Sequence, residues 1–426
     1  MRKHFLKCSI TTNIFYTKNN FFSSVFDIKK IILQTLYIFV IINIMRTQRR
    51  IIMDFNLYIP VNVISGKDAL IRNSKRLRAF GHRCLIVTGG KSAELSGALD
   101  DMKKALSEES IEYSVYNGIG PNPRLDCCFE AAEIARNMKA DFIVGIGGGS
   151  PLDAAKAVAV YAANENLTMD EIYTAKERSR ALPIVLVGTT SGTGSEVGRV
   201  SVLTHPVTGR KKSISPEDCF PSLTFADPKY TCSMPYDITV STALDAMAHV
   251  LEGYMGVKCT DIPALFGEKA IKLIWSGLLF LYENREKRLL PDEKLREALY
   301  YGSLYAGITL AYCGTAFPHP LGYVLTENYG TAHGKACTAF MDVFIDRAAE
   351  FTPEKLGKAL SIMNTDKETF KKVITELTDL KGITMTKEQI ASYCSRFDTP
   401  PANFTFSPGG FTKEDAVKVF EEKFLK

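Results

Sequence analysis

Ile143-Val144-Gly145-Ile146-Gly147-Gly148-Gly149-Ser150-Pro151-Leu152-Asp153-Ala154-Ala155-Lys156 is the stretch on which the fold turns. Apolar residues suited to a buried strand run into three consecutive glycines and then into an alanine-rich segment that reads as a helix. Ser150 is the expected N-cap, Pro151 takes the first helical position, and Asp153 three residues on completes a capping box in outline. Free N–H groups at a helix start carry partial positive charge, and glycines without Cβ let a pyrophosphate approach them closely. The stretch therefore reads as an anion site; the alternative is a tight turn that needs glycine only for backbone freedom.

Outward from this stretch, strand and helix alternate. Residues 56–65 read as one or two strands and residues 66–78 as a helix. A buried strand at 83–88 leads into Gly89, Gly90, Lys91 and Ser92, then a helical pattern through Leu106. Residues 113–116 form a short strand ending in the turn cluster Gly118, Gly120, Pro121, Asn122 and Pro123, and residues 124–138 are helical. After the central helix, the strand at 182–187 empties into a loop dense in glycine and hydroxyls, with Thr189, Thr190 and Thr193 at its heart. This alternation predicts an α/β domain with a Rossmann-like parallel sheet covered on both faces. Three glycine loops at strand ends then share one crevice, because ligands of open α/β sheets bind beyond the carboxyl ends of the strands. From Pro235 onward the texture changes to long periodic apolar segments at 239–255, 264–282 and 292–316, which predict an all-α domain. The boundary falls near Met234, giving regions 53–234 and 235–426.

Composition narrows the function classes. With 426 residues, 46% hydrophobic and 23% charged, the chain is long enough for two cores and has the makeup of a soluble globular protein. A net charge of +5, with basic and acidic residues interleaved, leaves no electrostatic footprint for nucleic acid. Ten cysteines without a Cys-x-x-Cys pair point to free thiols in a reducing, cytoplasmic setting. Residues 1–52 differ in texture. Their apolar run at 31–44 is shorter than the roughly 20 residues of a membrane span and has no small-residue cleavage site after it. We read Met53 as the natural start and 1–52 as an unfolded or untranslated extension, with a membrane anchor as the alternative.

Asp245 and His249 stand four residues apart, on one face of a predicted helix in apolar surroundings, where they must pair or bind a cation to offset desolvation. A plain Asp–His hydrogen bond would serve as well. His319 and His333, flanking a loop-like stretch at 320–332, tip the balance, because the 6 histidines of the chain include none after His205 outside this set. One carboxylate and three imidazoles suit Fe²⁺ or Zn²⁺ and leave a position for a substrate oxygen.

Three motifs, Gly-Gly-Gly-Ser-x-x-Asp-x-x-Lys at 147–156, Thr-Thr-x-Gly-Thr-Gly-Ser-Glu at 189–196 and Asp-Ala-x-x-His-x-x-Glu at 245–252, resemble those of the iron-containing (group III) alcohol dehydrogenase family. The likeness runs from about Met53 to the C-terminus. It implies a dinucleotide-binding N-terminal domain and a helical domain holding the metal through Asp245, His249, His319 and His333. It also implies a nicotinamide cofactor between the two. By the same carry-over Gly148, Gly149, Ser150 and Asp153 lie at the pyrophosphate, Asn122, Thr189, Thr190 and Thr193 border the cofactor, and Lys212 reaches toward it.

The chain departs from the family pattern twice. Many members carry an acidic residue after the first strand of the nucleotide domain, where a carboxylate excludes a 2′-phosphate. Here Gly89, Gly90, Lys91 and Ser92 follow, similar to the NADP-preferring branch, which predicts NADP(H) ahead of NAD(H). Four residues after His319, where many members have another histidine, stands Tyr323, read either as a proton donor to the developing alkoxide or as a packing residue. The implied reaction is hydride transfer between NAD(P)H and a small primary alcohol or aldehyde, with the metal polarising the carbonyl oxygen. Phe317, Leu321 and Val324 suggest a short aliphatic substrate. The alternatives are a dehydroquinate synthase-type lyase, which needs a cluster of basic side chains, and a catalytically silent binder of metal and nucleotide. A homodimer is expected as the commonest closed assembly.

Overall fold

Six strands, β1 (Asn62–Ser65), β2 (Arg83–Val87), β3 (Glu112–Tyr116), β4 (Phe142–Gly147), β5 (Ile184–Gly188) and β8 (Leu223–Ala226), pair in parallel in the order β1-β8-β5-β4-β2-β3. The computed structural model describes residues 57–426 except Lys176, so the readings of 1–52 and of Met53 as the start lie outside the described residues. All of β4 is buried, as expected where both faces of a parallel sheet are covered. The period of two sorts its side chains. Ile143, with Leu85 and Val87 of β2, joins the core on one face, whereas Phe142, Val144 and Ile146, with Cys84 and Ile86, join the core on the other.

Between β5 and β8 lies an antiparallel hairpin of β6 (Ser201–Thr204) and β7 (Lys211–Ile214), which the sequence reading missed along with β8 itself. These strands are only four residues long, too short for alternation to declare itself. The expected helix at 66–78 is broken into α1 (Ala69–Arg72) and a 3₁₀ segment, Ser74–Phe80. Asn73 breaks it by donating from Nδ2 to the Ala69 carbonyl at 2.7 Å, a local bond that competes with the helical ladder. Likewise the helical pattern after Ser92 is two helices, α2 (Ser92–Leu95) and α3 (Ala98–Glu108), parted at Gly97 with φ 78°. The segment expected at 124–138 is α4 (Leu125–Asn137).

The capping box does not form. The helix after β4 is α5 (Gly149–Ala162), whose N-cap is Gly148 with no side-chain cap. Both residues expected to cap it are used elsewhere. Ser150 Oγ accepts from the Asn122 N–H at 3.1 Å, and the Asp153 carboxylate accepts from Ser195 Oγ at 2.6 Å and the Val202 N–H at 2.8 Å. The first turn is thus tied to the two neighbouring loops instead of to itself, and its leading N–H groups are not covered by a side chain.

After the 3₁₀ turn Pro228–Thr231 the chain is helical, beginning with α6 (Tyr236–Met255), α7 (Asp261–Glu283) and α8 (Glu293–Cys313). The buried Arg296 of α8 donates to the carbonyls of Thr231 at 2.7 Å and Met234 at 3.2 Å, fixing the passage from sheet to helices. The loop after β5 packs on α8 backbone to backbone. A Cβ added at Gly194 would come within 2.5 Å of Gly307 Cα, and Gly194 has φ +58°, so both its conformation and its contact require glycine.

The stretch at 320–332, expected as a loop, is mostly helix: α9 (Pro318–Tyr329), followed by α10 (His333–Thr338). Proline in the first turn and the left-handed Gly330 at the end delimit α9, so its prolines and glycines punctuate a helix where the sequence reading took them for a loop. Phe317, Leu321 and Val324 are fully buried in the helical core, with Phe317 stacked on Phe411 at 3.9 Å. They do not line the cavity described below, so they do not select an aliphatic substrate.

Candidate active site

A cavity of about 580 Å³ opens beyond the carboxyl ends of β4 and β5. On the sheet side Asn122, Gly148, Gly149, Ser150, Asp153, Thr190 and Thr193 line it. On the helical side stand Asp245, His249, His319, Tyr323 and His333. Thr189 is buried behind the wall with its Oγ1 unpartnered, while Gly89, Gly90 and Ser92 lie at the end of β2, outside the lining. Since β2 is the neighbour of β4 in the sheet, that loop extends the same edge.

Asp245 Oδ1 is the centre of the polar cluster. The Nε2 atoms of His333, His249 and His319 lie 3.7, 3.8 and 3.9 Å from it. These separations exceed hydrogen bonds, and Asp245 Oδ1 and His319 Nε2 are buried with no hydrogen-bond partner. Asp245 is 4% exposed, His319 3% and His249 6%, so water does not compensate them. Three imidazole nitrogens surround one carboxylate oxygen. Such an arrangement is costly unless a cation occupies it, and the oxygen-and-nitrogen donor set fits a borderline divalent ion.

Each imidazole is held from behind. His319 Nδ1 pairs with Glu252 Oε1 at 2.7 Å, His249 Nδ1 faces the Gly192 carbonyl at 3.4 Å, and His333 Nδ1 faces Cys337 Sγ at 3.6 Å. Partners on Nδ1 leave Nε2 for the centre, the usual means by which a protein orients ligating histidines. Glu252, the last residue of the 245–252 motif, is fully buried and also accepts from the Ala316 N–H at 2.8 Å. Its position seven residues after Asp245, on the same helical face, was the available signal.

Local sequence explains how these groups converge. Asp245 and His249 are one turn apart on α6. His333 opens α10, where Gly334 lets the helix press onto α6: a Cβ there would stand 1.8 Å from the Ser241 carbonyl oxygen and 2.9 Å from Asp245. Burial opposes the charge of Asp245, but His249, His333, His319 and Lys211 outweigh it and hold the carboxyl below its ordinary range. Burial pushes His249 down to about 4, which keeps it neutral and able to ligate.

The hairpin adds a residue the sequence reading passed over. Lys211 and Lys212 both border the cavity, but adjacent strand residues face opposite ways. Lys212 Nζ lies over the Tyr173 ring at 4.4 Å, whereas Lys211 Nζ lies over the Tyr323 ring at 5.2 Å, on the side of the histidines. The Lys211 N–H donates to Glu327 Oε1 at 3.1 Å, and Glu327 is itself gripped by Arg396 at 2.6 Å, so β7 is anchored to α9. Burial lowers the Lys211 ammonium from its ordinary range. Tyr323 stacks on His333 at 5.8 Å, and burial pushes its phenol up to about 12. Only the hairpin register could have told Lys211 from Lys212, and the hairpin was not legible.

A parallel sheet with glycine loops at its carboxyl edge, facing a buried cluster of one carboxylate and three imidazoles, defines a nucleotide-and-metal oxidoreductase of the alcohol dehydrogenase class. The chain belongs to the iron-containing alcohol dehydrogenase family. The family description "Iron-containing alcohol dehydrogenase" matches residues 60–228, and "Fe-containing alcohol dehydrogenase family, C-terminal" matches residues 239–394. The crystal structure of an iron-containing alcohol dehydrogenase from Thermotoga maritima superposes with a TM-score of 0.79 at 33% identity, over 87% of this chain and 99% of that one. Among curated relatives, the NADPH-dependent butanol dehydrogenase of Clostridium saccharobutylicum is 27% identical over 76% of this chain and 82% of its own length. The NAD-dependent methanol dehydrogenase of Bacillus methanolicus is 26% identical over 66% of this chain and 72% of its own length. Among the described residues no helix is long and apolar enough to cross a membrane, and all the described cysteines are free thiols.

Proposed function

We propose that this chain reduces small aldehydes, and oxidises the corresponding primary alcohols, with NADP(H) ahead of NAD(H) and with Asp245, His249, His319 and His333 holding the catalytic ion. Fe²⁺ is the ion the family name suggests and Zn²⁺ the alternative. The observation that carries this reading is the pair of buried, unpartnered donors, Asp245 Oδ1 and His319 Nε2, in the same cavity as Gly148 and Gly149. A bound divalent ion would supply Lewis acidity toward a carbonyl oxygen. The uncovered N–H groups at the start of α5 bind the pyrophosphate, and Thr190 and Thr193 orient the rest of the cofactor across the cavity. Residues 53–234 form the cofactor half and 235–426 the metal half of this arrangement.

Preference for NADP(H) rests on the loop after β2, where Gly89, Gly90 and Ser92 carry no carboxylate and the exposed Lys91 is free to meet a 2′-phosphate. Tyr323 remains a protonated phenol at neutral pH, since burial raises it away from the range where it could exchange protons readily. The Lys211 ammonium, lowered by burial and lying over the same ring, is the better placed proton source, with Tyr323 as its platform. Tyr323→Phe should then keep turnover within about threefold, whereas loss of a proton donor would cost on the order of 10²-fold or more. Against the lyase alternative, Lys211 and Lys212 are the only cationic side chains lining the cavity among the described residues, too few for a phosphorylated polyhydroxy acid. The reducing cytoplasm and a homodimer complete the proposal, from the free thiols and from the prevalence of two-fold assemblies.

The test is to follow NADPH and NADH absorbance anaerobically while adding short-chain aldehydes, with Fe²⁺, Zn²⁺ or a chelator present. Multiple turnovers that need metal and favour NADPH support the proposal. Tight binding of cofactor and metal without turnover on any aldehyde would indicate a silent binder, and a clear NADH preference would remove the cofactor assignment alone.

A further inference from the structure

Where α8 ends, the cavity has a stretch of wall outside the groups assigned to the ion and the cofactor. Leu310, Ala311, Gly314 and Thr315, with Asn403 from the short helix Ala402–Phe406, line it. Asn403 Nδ2 donates to Thr315 Oγ1 at 2.6 Å and to the Thr315 carbonyl at 3.3 Å. A carbonyl only accepts, so the amide nitrogen must face Thr315 and Oδ1 is turned away from it. Among the described residues no group donates to Asn403 Oδ1 and none takes the proton of Thr315 Oγ1. Two half-buried residues thus offer one free acceptor and one free donor.

The pair is also tied to the histidine cluster. The Phe317 N–H donates to Ser407 Oγ at 3.0 Å, and Ser407 Oγ donates to the Asn403 carbonyl at 2.8 Å. Beside them the Ala316 N–H donates to Glu252, whose other oxygen pairs with His319.

We propose that Asn403 and Thr315 bind the far end of the substrate, and that the chain prefers primary alcohols and aldehydes carrying a second hydroxyl over apolar ones of equal length. The proposal rests on the dehydrogenase reading above. A hydroxyl can donate to Asn403 Oδ1 while it accepts from Thr315 Oγ1. An ammonium cannot accept, a carboxylate cannot donate, and a methyl does neither. An apolar end at this wall would leave both groups dry and unpaired, the situation in which a site rejects an analogue that lacks the hydroxyl. The alternative role for Asn403 is that its amide only fastens the loop after α8.

Loaded with metal and NADP⁺ or NAD⁺, the full chain is offered alcohols in pairs of equal size: ethylene glycol and 1-propanol, 1,3-propanediol and 1-butanol, 1,4-butanediol and 1-pentanol. At the length that reaches Asn403, kcat/KM for the diol should exceed that for its partner by about tenfold, the worth of two hydrogen bonds. N403L and T315V should bring that ratio down to about one, while T315S, which keeps the hydroxyl, should hold it. A fastening role would lower both members of a pair alike and leave their ratio as it was. A wild type that favours the diol in no pair, or variants that keep the ratio, overturns the proposal and leaves the dehydrogenase standing. Should no alcohol turn over, saturation-transfer NMR of the diols on the metal-loaded chain reads binding alone. Binding that N403L abolishes and T315S keeps would sustain the polar contact and remove the dehydrogenase reading. Diols that bind wild type and N403L alike, or not at all, would remove both.

Discussion

The two walls of the cavity are built from different materials. The sheet side is made mostly of backbone: Gly148 and Gly149 at the start of α5, and a loop after β5 whose Gly192 presses on α6 and Gly194 on α8. The helical side is made of side chains, with Asp245, His249, His319 and Glu252 all buried. A backbone wall binds its ligand with groups that every residue possesses, so what it asks of the sequence is the absence of side chains. A side-chain wall places charges in a dry interior and depends on each partner being present. The first should fail gradually on substitution and the second abruptly.

Glu252→Gln is the strongest test of that contrast, because it touches neither the cavity nor the proposed ion. Losing the carboxylate behind His319 should weaken metal retention by about 10- to 100-fold, as for other partners of ligating histidines. Metal content after dialysis, with circular dichroism to confirm folding, reads it; unchanged retention would mean that the helical wall is as tolerant as the other. Gly149→Val is the corresponding test of the backbone wall. A Cβ at Gly149 would stand 2.5 Å from Thr193 Cγ2, so the loops must part. We expect about a tenfold rise in KM for the cofactor, roughly 1.4 kcal/mol, with metal content unaltered. A loss of metal instead would show the two walls to be coupled.

The sheet side hides one side chain that behaves like those of the helical wall. Burial pushes Glu196 up to about 7, and its Oε2 has no partner. Its folded pKa lies above the unfolded value, so its contribution to stability is fully present below about pH 4.5 and is lost as pH rises through about 7. Glu196→Gln should flatten that loss, seen as a smaller change in Tm between pH 5 and 8 than the wild type shows. Equal changes would place the pH dependence elsewhere. The smallest effect belongs to the rim. Lys91→Ala should lower the ratio of kcat/KM for NADPH over NADH by about two- to fivefold, the worth of an exposed ion pair of ~0.5–1 kcal/mol. No change would mean that the glycines alone admit the 2′-phosphate.

Legibility followed the same division. The run from β4 into α5 could be read because strand, glycine turn and helix are local patterns, and Asp245 with His249 because i and i+4 share a helical face. His319 and His333 were found from the scarcity of histidine, although the segment between them was taken for a loop. Its glycines serve packing and capping in α9 and α10, which local rules do not distinguish from turn formation. Ser150 and Asp153 show the opposite failure. They have the pattern of a capping box, yet tertiary partners in the adjoining loops claim both side chains. Lys211 was passed over for its neighbour because β6 and β7 are too short for their register to be inferred.

The sequence alone determined the alternation that makes a parallel sheet, the glycine loops at its edge, the helical second half and the placing of Asp245 and His249 on one helical face. Each of these rests on spacing along the chain, which backbone geometry converts directly into direction. Only the tertiary structure decided that Glu252 stands behind His319, that Lys211 and not Lys212 lies over Tyr323, and that Phe317 does not reach the cavity. Those depend on which faces of distant helices and strands meet, and packing across the whole core settles that.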